Sequence, residues 1–147
     1  EPGRAQILVQ FINEKEFLYI DESANSIVEQ VNTMYGFRSE AFRRQRILDD
    51  LIKTKLQKQA VVAKLETIKN RAQNNPQETY FVLIRCPDEL PYYHVIDMIQ
   101  AVSGLPNVFY GCVGGSLDDI TNARRIFLQQ ETDERGRREN LVIEFAG

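Results

Sequence analysis

Histidine and cysteine are scarce in this chain of 147 residues, with one histidine, His94, and two cysteines, Cys86 and Cys112. Imidazole or thiolate catalysis needs a neighbouring group to orient the base or nucleophile, and a single histidine leaves few ways to build one. Two cysteines are too few for a disulfide framework, and their spacing fits no zinc pattern. Both lie beside apolar, strand-like residues, so small buried side chains are the first expectation. A single bridge stays open if their strands are neighbours, since a disulfide demands a specific approach of the two residues. Long apolar runs are missing too, and none approaches the roughly 20 residues that cross a bilayer. Nor is there an excess of positive charge. The 18 Lys and Arg face 21 Asp and Glu, for a net charge of −3. No nucleic acid is expected as a main partner, because phosphate binding needs a basic surface. The cluster Arg43-Arg44-Gln45-Arg46 does not reverse that, since acidic residues are scattered through the same helical segment.

What is present suits one soluble domain covering 1–147, with 43% hydrophobic and 27% charged residues. Residues 5–12 (AQILVQFI) and 17–20 (FLYI) are β-rich runs around Asn13-Glu14-Lys15-Glu16, a hairpin signal without an Asn-Gly or Asp-Gly pair. Asp21-Glu22-Ser23 offers capping chemistry ahead of Ile27, Val28, Val31 and Met34, whose spacing predicts a helix ended by Gly36. Ser39-Glu40 opens a longer helical pattern. No Gly or Pro interrupts 37–75, and Asn74-Asn75-Pro76 closes it. One long helix is expected, its charged first half projecting past the core and its second half packed on a sheet. A coiled-coil arm is the alternative, but the heptad fails at Lys55 and Gln59.

Residues 79–85 are nearly all apolar, as in a strand covered on both faces or central in a sheet. Pro91 fits the first turn of a following helix, with Val95, Ile96, Ile99 and Val102 on one face and Gly104-Leu105-Pro106 as the stop. Residues 107–113 (NVFYGCV) make the partner strand, so 79–113 reads as a βαβ unit with two parallel strands. Beyond it, Ser116-Leu117-Asp118-Asp119 resembles a helix start, and 141–145 (LVIEF) a closing strand. Residues 125–130 fit that strand's hairpin partner, with helix a close second. No repeat, low-complexity tract or linker is visible.

Chemistry is sparsely signalled. His94 could act on Cys86 as a thiol–imidazole pair, but no third orienting group is evident. Gly111-Cys112-Val113-Gly114-Gly115 lacks both the GxGxxG spacing and the P-loop ending, and Asp118-Asp119 beside it would repel an anion. Asp49-Asp50 and Asp118-Asp119 read as solvated faces. No catalytic residue, cofactor or metal site is expected. The corner after residue 85 is the richer feature. Cys86-Pro87-Asp88-Glu89-Leu90-Pro91-Tyr92-Tyr93 combines two backbone-restricting prolines with adjacent aromatics, which is good docking chemistry. A purely structural corner fits the same residues.

These residues also carry a resemblance. Val82-Leu83-Ile84-Arg85-Cys86, then Leu90-Pro91-Tyr92, then Val95-Ile96-Asp97-Met98 resembles the ExbD/TolR biopolymer-transport family, where a strand "v-I-R-A-D" leads to "v-P-Y" and a helix "V-v-x-v-m". The hairpin at 5–20 looks like that family's opening, and 108–113 looks like its last strand. The likeness covers roughly 5–34 and 60–113. Pro87 stands where the family has an acidic residue, and Tyr93 where it has glycine. The turn near Gly104 is shortened, 36–58 looks like an insertion, and 116–147 like a C-terminal addition.

The resemblance implies an α+β domain with helices on one face of a small mixed sheet, usually dimeric. It implies a periplasmic location behind a single inner-membrane helix encoded upstream of Glu1. The domain would be non-enzymatic, working with an ExbB/TolQ-like proton channel and passing proton-motive force to a TonB- or TolA-like partner. Some members also contact peptidoglycan. The interaction surface expected on this chain is Arg85, Pro91, Tyr92, Tyr93 and His94. An oxidising periplasm would favour a Cys86–Cys112 disulfide. Outside the resemblance, the residues also suit a soluble small-molecule-binding or regulatory α+β domain, or a small thiol-dependent enzyme.

Overall fold

β-branched and aromatic residues at both ends of the hairpin signal pair as expected. Strands β1 (Arg4–Phe11) and β2 (Glu16–Ile20) are antiparallel, Leu8 opposite Ile20 and Phe11 opposite Phe17. This computed structural model describes residues 4–117. In the β1–β2 turn, Asn13 Oδ1 accepts the amides of Lys15 and Glu16 at 2.8 and 2.9 Å. That side chain closes the turn without an Asn-Gly pair. Helix α1 (Glu22–Tyr35) ends at Gly36, and α2 (Glu40–Ile52) starts on Ser39, whose Oγ accepts the Phe42 amide at 2.9 Å.

The expected long helix is broken. After Ile52 the chain turns through Thr54 and enters the short strand β3 (Leu56–Gln57), then re-forms helix as α3 (Lys58–Asn74). β3 pairs antiparallel with β2, Leu56 opposite Phe17 and Gln57 opposite Glu16. Lys55 Nζ, 3.0 Å from Glu16 Oε2, fixes the same junction. The break has a packing cause: α2 buries Ile47 and Leu51 on one face of the sheet, whereas α3 buries Val61, Leu65, Ile68 and Ala72 on the other. One straight helix cannot serve both faces, so the chain rounds the sheet edge at β3.

β4 (Thr79–Cys86), α4 (Tyr93–Val102) and β5 (Val108–Gly114) form the expected βαβ unit, with β4 parallel to both β1 and β5. The order across the five-stranded mixed sheet is β3-β2-β1-β4-β5. The fold is α+β. Asn107, just before β5, donates its side-chain amide to the carbonyls of Ala72 and Glu78, both at 3.0 Å, tying the end of α3 to the entry of β4.

Helices on one face only is the expectation that fails. α3 and α4 cover one side, packing on Ile7, Val9, Phe11, Val82 and Ile84. α1 and α2 cover the other, packing on Leu8, Leu18, Ile20 and Leu83. The nearly continuous apolar run of β4 requires this, because alternate side chains point to opposite faces. A fully buried Leu or Val contributes roughly 1.5–3 kcal/mol, so neither apolar face can be left wet. The buried face of α4 is also shifted: Val95, Met98, Ala101 and Val102 point inward, and Ile96 is exposed. Pro91 lies two residues ahead of the helix, in a turn where the His94 and Val95 amides bond the Pro91 and Tyr92 carbonyls. The helix start at 116–119, the segment 125–130 and the strand at 141–145 lie outside the described residues.

Candidate functional site

The parallel strands β1, β4 and β5 end at one edge of the sheet, and their connections part there. β1 turns back into the hairpin, while β4 crosses over through α4 to β5 on the opposite side. In α/β sheets such a divergence at the carboxyl ends of strands is where crevices form. Three structures meet at this edge: the hairpin turn around Asn13, the corner at 87–92, and the end of β5.

A buried polar clasp holds the edge together. Arg85, only 6% exposed, donates from Nε to Gln10 Oε1 at 2.8 Å and from a terminal nitrogen to the Ser116 carbonyl at 3.4 Å. Gln10 Nε2 in turn donates to the carbonyls of Phe11 at 3.0 Å and Gly115 at 3.1 Å. The Gly115 amide donates to the Cys86 carbonyl at 3.1 Å. The chain leaving β5 is thus stitched to the ends of β1 and β4. A Cβ at position 115 would land on the Arg85 guanidinium, so any larger residue there has to displace the clasp. The Gly115 amide is consumed in this closure, which removes it from any phosphate cradle. Arg85 is therefore corrected from a surface contact to an internal clasp.

On the α3–α4 side of the sheet, a cavity of ≈ 280 Å³ opens between the corner and β5, lined by Cys86, Pro87, Asp88, Tyr92 and Cys112 among others. Burial pushes both thiols up from their ordinary value, and the neighbouring Cys112 adds to the effect at Cys86. The thiols stay protonated near neutral pH and are poor nucleophiles. They are also free. Ile84 pairs with Cys112, and Cys86 with Gly114, so the two cysteines are diagonal neighbours on adjacent parallel strands. With strands about 4.8 Å apart and a rise of about 3.3 Å per residue, their Cα atoms lie roughly 8 Å apart, beyond the ~7 Å reach of a disulfide. The expected bridge is overturned by a register offset of two residues.

His94 is not brought to Cys86. Its Nε2 lies 3.5 Å from Glu14 Oε2 on the hairpin, an ion pair once the ring is protonated, and the ring packs on Tyr93 at 4.2 Å between centroids. The thiol–imidazole pair is absent. A second, open groove of ≈ 520 Å³ runs along the hairpin side, lined by Asn13, Glu14, Lys15, Glu16, Gln57 and Leu90. Leu90 borders both spaces, so the corner forms a ridge between two grooves.

The ridge presents aromatic surface. Pro91, Tyr92 and Tyr93 are exposed, Leu90 is half-buried and anchored on the α3–α4 core, and the Leu90 amide bonds the Pro87 carbonyl at 3.1 Å. Of the five residues singled out for contact, Pro91, Tyr92 and Tyr93 form the outer face. His94, on the first turn of α4, packs behind Tyr93 and faces Glu14 of the hairpin, and Arg85 lies inside. Sequence reasoning missed Gln10, one of two glutamines, with Gln6, in an otherwise apolar strand run, which is the signal that could have found it. Among the described residues, no helix is long and apolar enough to cross a membrane, and no group of three or more His, Cys, Asp or Glu could hold a metal ion. Compared with known proteins, the chain matches no family model, no curated sequence and no solved structure.

Proposed function

We propose that this domain is a non-enzymatic docking module of a proton-motive-force-driven inner-membrane complex of the ExbB–ExbD or TolQ–TolR kind, placed in the periplasm. The observation that carries the reading is the 87–93 ridge: two prolines and an anchored leucine hold Tyr92 and Tyr93 outward at the edge where β1, β4 and β5 end. Tyrosines on a stiff backbone bring large contact area at little entropic cost, which is what a load-bearing protein contact requires. The clasp of Arg85 and Gln10 supports this by coupling the ridge to three strands, so force applied at the corner is spread through the sheet.

Partners follow from that reading: a channel subunit of the ExbB/TolQ type, a TonB- or TolA-like protein reaching outward, and a second copy of this chain, with peptidoglycan a further contact. Among the described residues β5 is the longer of the two outer strands, and it exposes Phe109 and Tyr110, which suits edge-to-edge pairing of two copies. The membrane-anchored full-length protein should co-purify with a polytopic channel subunit and lose it when Tyr92 and Tyr93 are both changed to Ala. Retention of the subunit by that variant would refute the ridge as the docking face.

The ≈ 280 Å³ cavity favours a second reading, a small-molecule-binding or regulatory domain, because it has apolar walls and a few polar groups. A metabolite that raises the melting temperature of the parent, but not of a Cys112→Phe variant with the cavity filled, would establish that reading instead.

A further inference from the structure

The α1–α2 connection lies at the margin of the core, which it meets through the half-buried Tyr35. From Asn32 to Arg46 no residue is buried, although the helices on either side anchor Val31 and Ile47. This tip has a composition unlike the rest of the acidic chain. Over 34–48 it carries Arg38, Arg43, Arg44 and Arg46 against Glu40 alone, four positive charges less one negative, or +3. Asp49 and Asp50 lie beyond that window, and Asp50 is already engaged by Arg46 at 3.9 Å and Lys53 at 3.5 Å. At the tip Phe37 is 80% exposed, the highest of the large hydrophobic side chains, and Met34 is 55% exposed.

Charge and apolar surface are interleaved at one level. The Arg38 guanidinium lies 5.2 Å from the centroid of the Phe37 ring and 5.0 Å from that of Phe42. Phe42 also packs edge-on against Tyr35, over which Arg46 sits at 5.3 Å. Arg43 reaches back to the Arg38 carbonyl, holding the turn closed. The tip is therefore a pre-formed knob of stacked arginines and aromatics, with Phe37 its most exposed large side chain.

We propose that this knob docks on an anionic phospholipid surface, Phe37 and Met34 entering the headgroup boundary while the arginines engage lipid phosphates. Shallow apolar insertion plus cationic attraction is the combination that holds peripheral segments on anionic bilayers. Exposed Phe37 and Met34 beside the arginines suit a deformable lipid interface, where apolar insertion adds to the phosphate contacts. Each arginine near the surface strengthens binding about fivefold, so three give roughly a hundredfold preference for anionic over neutral vesicles. The inference rests on the tip alone and stands or falls independently of the docking ridge.

The chain has no tryptophan, so Phe37→Trp places a single reporter at the tip. With phosphatidylglycerol-containing vesicles, the reporter's emission should shift to shorter wavelength and be quenched by brominated lipid, and the protein should co-sediment. Pure phosphatidylcholine vesicles should leave both signals unchanged. Arg43→Gln with Arg44→Gln should weaken sedimentation of the parent about 25-fold, and Phe37→Ser about tenfold, with thermal melts lowered by no more than about 3 °C because none of these positions is buried. No sedimentation with anionic vesicles would overturn the proposal. So would equal binding to neutral vesicles, or sedimentation with the reporter's emission unmoved.

Discussion

Replacing Arg85 by Met should destabilise the fold by about 2–4 kcal/mol. Arg85 is nearly fully buried, its Nε–Gln10 Oε1 bond is 2.8 Å, and Gln10 is completely inaccessible. A hydrogen bond from a charged donor is worth about 1.5–3 kcal/mol, and the orphaned carbonyl of Gln10 adds a desolvation cost because no water reaches it. Methionine keeps the apolar stem, so lost packing contributes little. For a domain of this size the melting temperature should fall by roughly 10 °C. The cycle with Gln10→Leu is the sharper test. Leucine alone strips Arg85 of an acceptor and should also cost about 2 kcal/mol or more, yet the double variant removes both polar groups and should recover about 1–2 kcal/mol of the summed loss. Urea titrations of the four proteins measure this directly. A single variant within about 0.5 kcal/mol of the parent, or strict additivity, would refute the clasp as a structural element.

Three further outcomes follow from the same edge of the sheet. Gly115→Ala should cost about 1–3 kcal/mol in urea denaturation, since its Cβ meets the Arg85 guanidinium, and the loss should shrink in the Arg85→Met background. Burial raises the Cys86 and Cys112 thiols in the folded state, so the stability they contribute is complete below the unfolded thiol value of about 8.5 and is lost as pH rises through the folded value. Urea midpoints should fall between about pH 8.5 and 10 in the parent and stay flatter when both cysteines are Ala, a difference whose absence would contradict the burial. Glu16 is held below its ordinary value by hydrogen bonds from Lys55 and then Asn13, so its contribution is present above the unfolded carboxylate value and vanishes as pH falls through the folded one. A Lys55→Gln variant should show a shallower acid limb in an acid-denaturation curve, and an unchanged limb would remove Lys55 as the cause.

The hairpin, α1 and the βαβ unit were legible because their signals are local. Alternating or continuous apolar runs, Ser39 and Asn13 as capping and turn residues, and Gly36 as a stop all act within a few positions. The break at 53–57 was not legible, because no Gly or Pro marks it. It arises from Leu56 meeting Phe17 and Lys55 meeting Glu16, contacts set by tertiary packing across the sheet edge. The second helical layer was half-written in β4, whose unbroken apolar run already called for cover on both sides. At the site, Pro91, Tyr92 and Tyr93 behave as the exposed corner their chemistry suggested. Arg85 does not, since an arginine ending a strand is read as surface unless its partner Gln10, 75 positions away, is known. The disulfide failed for the same kind of reason: strand neighbourhood was foreseeable, but a register offset of two was not.

The central claim is that the ridge at 87–93 makes protein contacts and performs no chemistry. A photo-crosslinking residue placed at Tyr92 in the full-length protein, with Glu66 on the exposed face of α3 as the control position, tests it most directly. Irradiation in intact cells should join Tyr92, and not Glu66, to a channel subunit or an outward-reaching partner of the complex. Products confined to small molecules at position 92, or identical protein products from both positions, would contradict it.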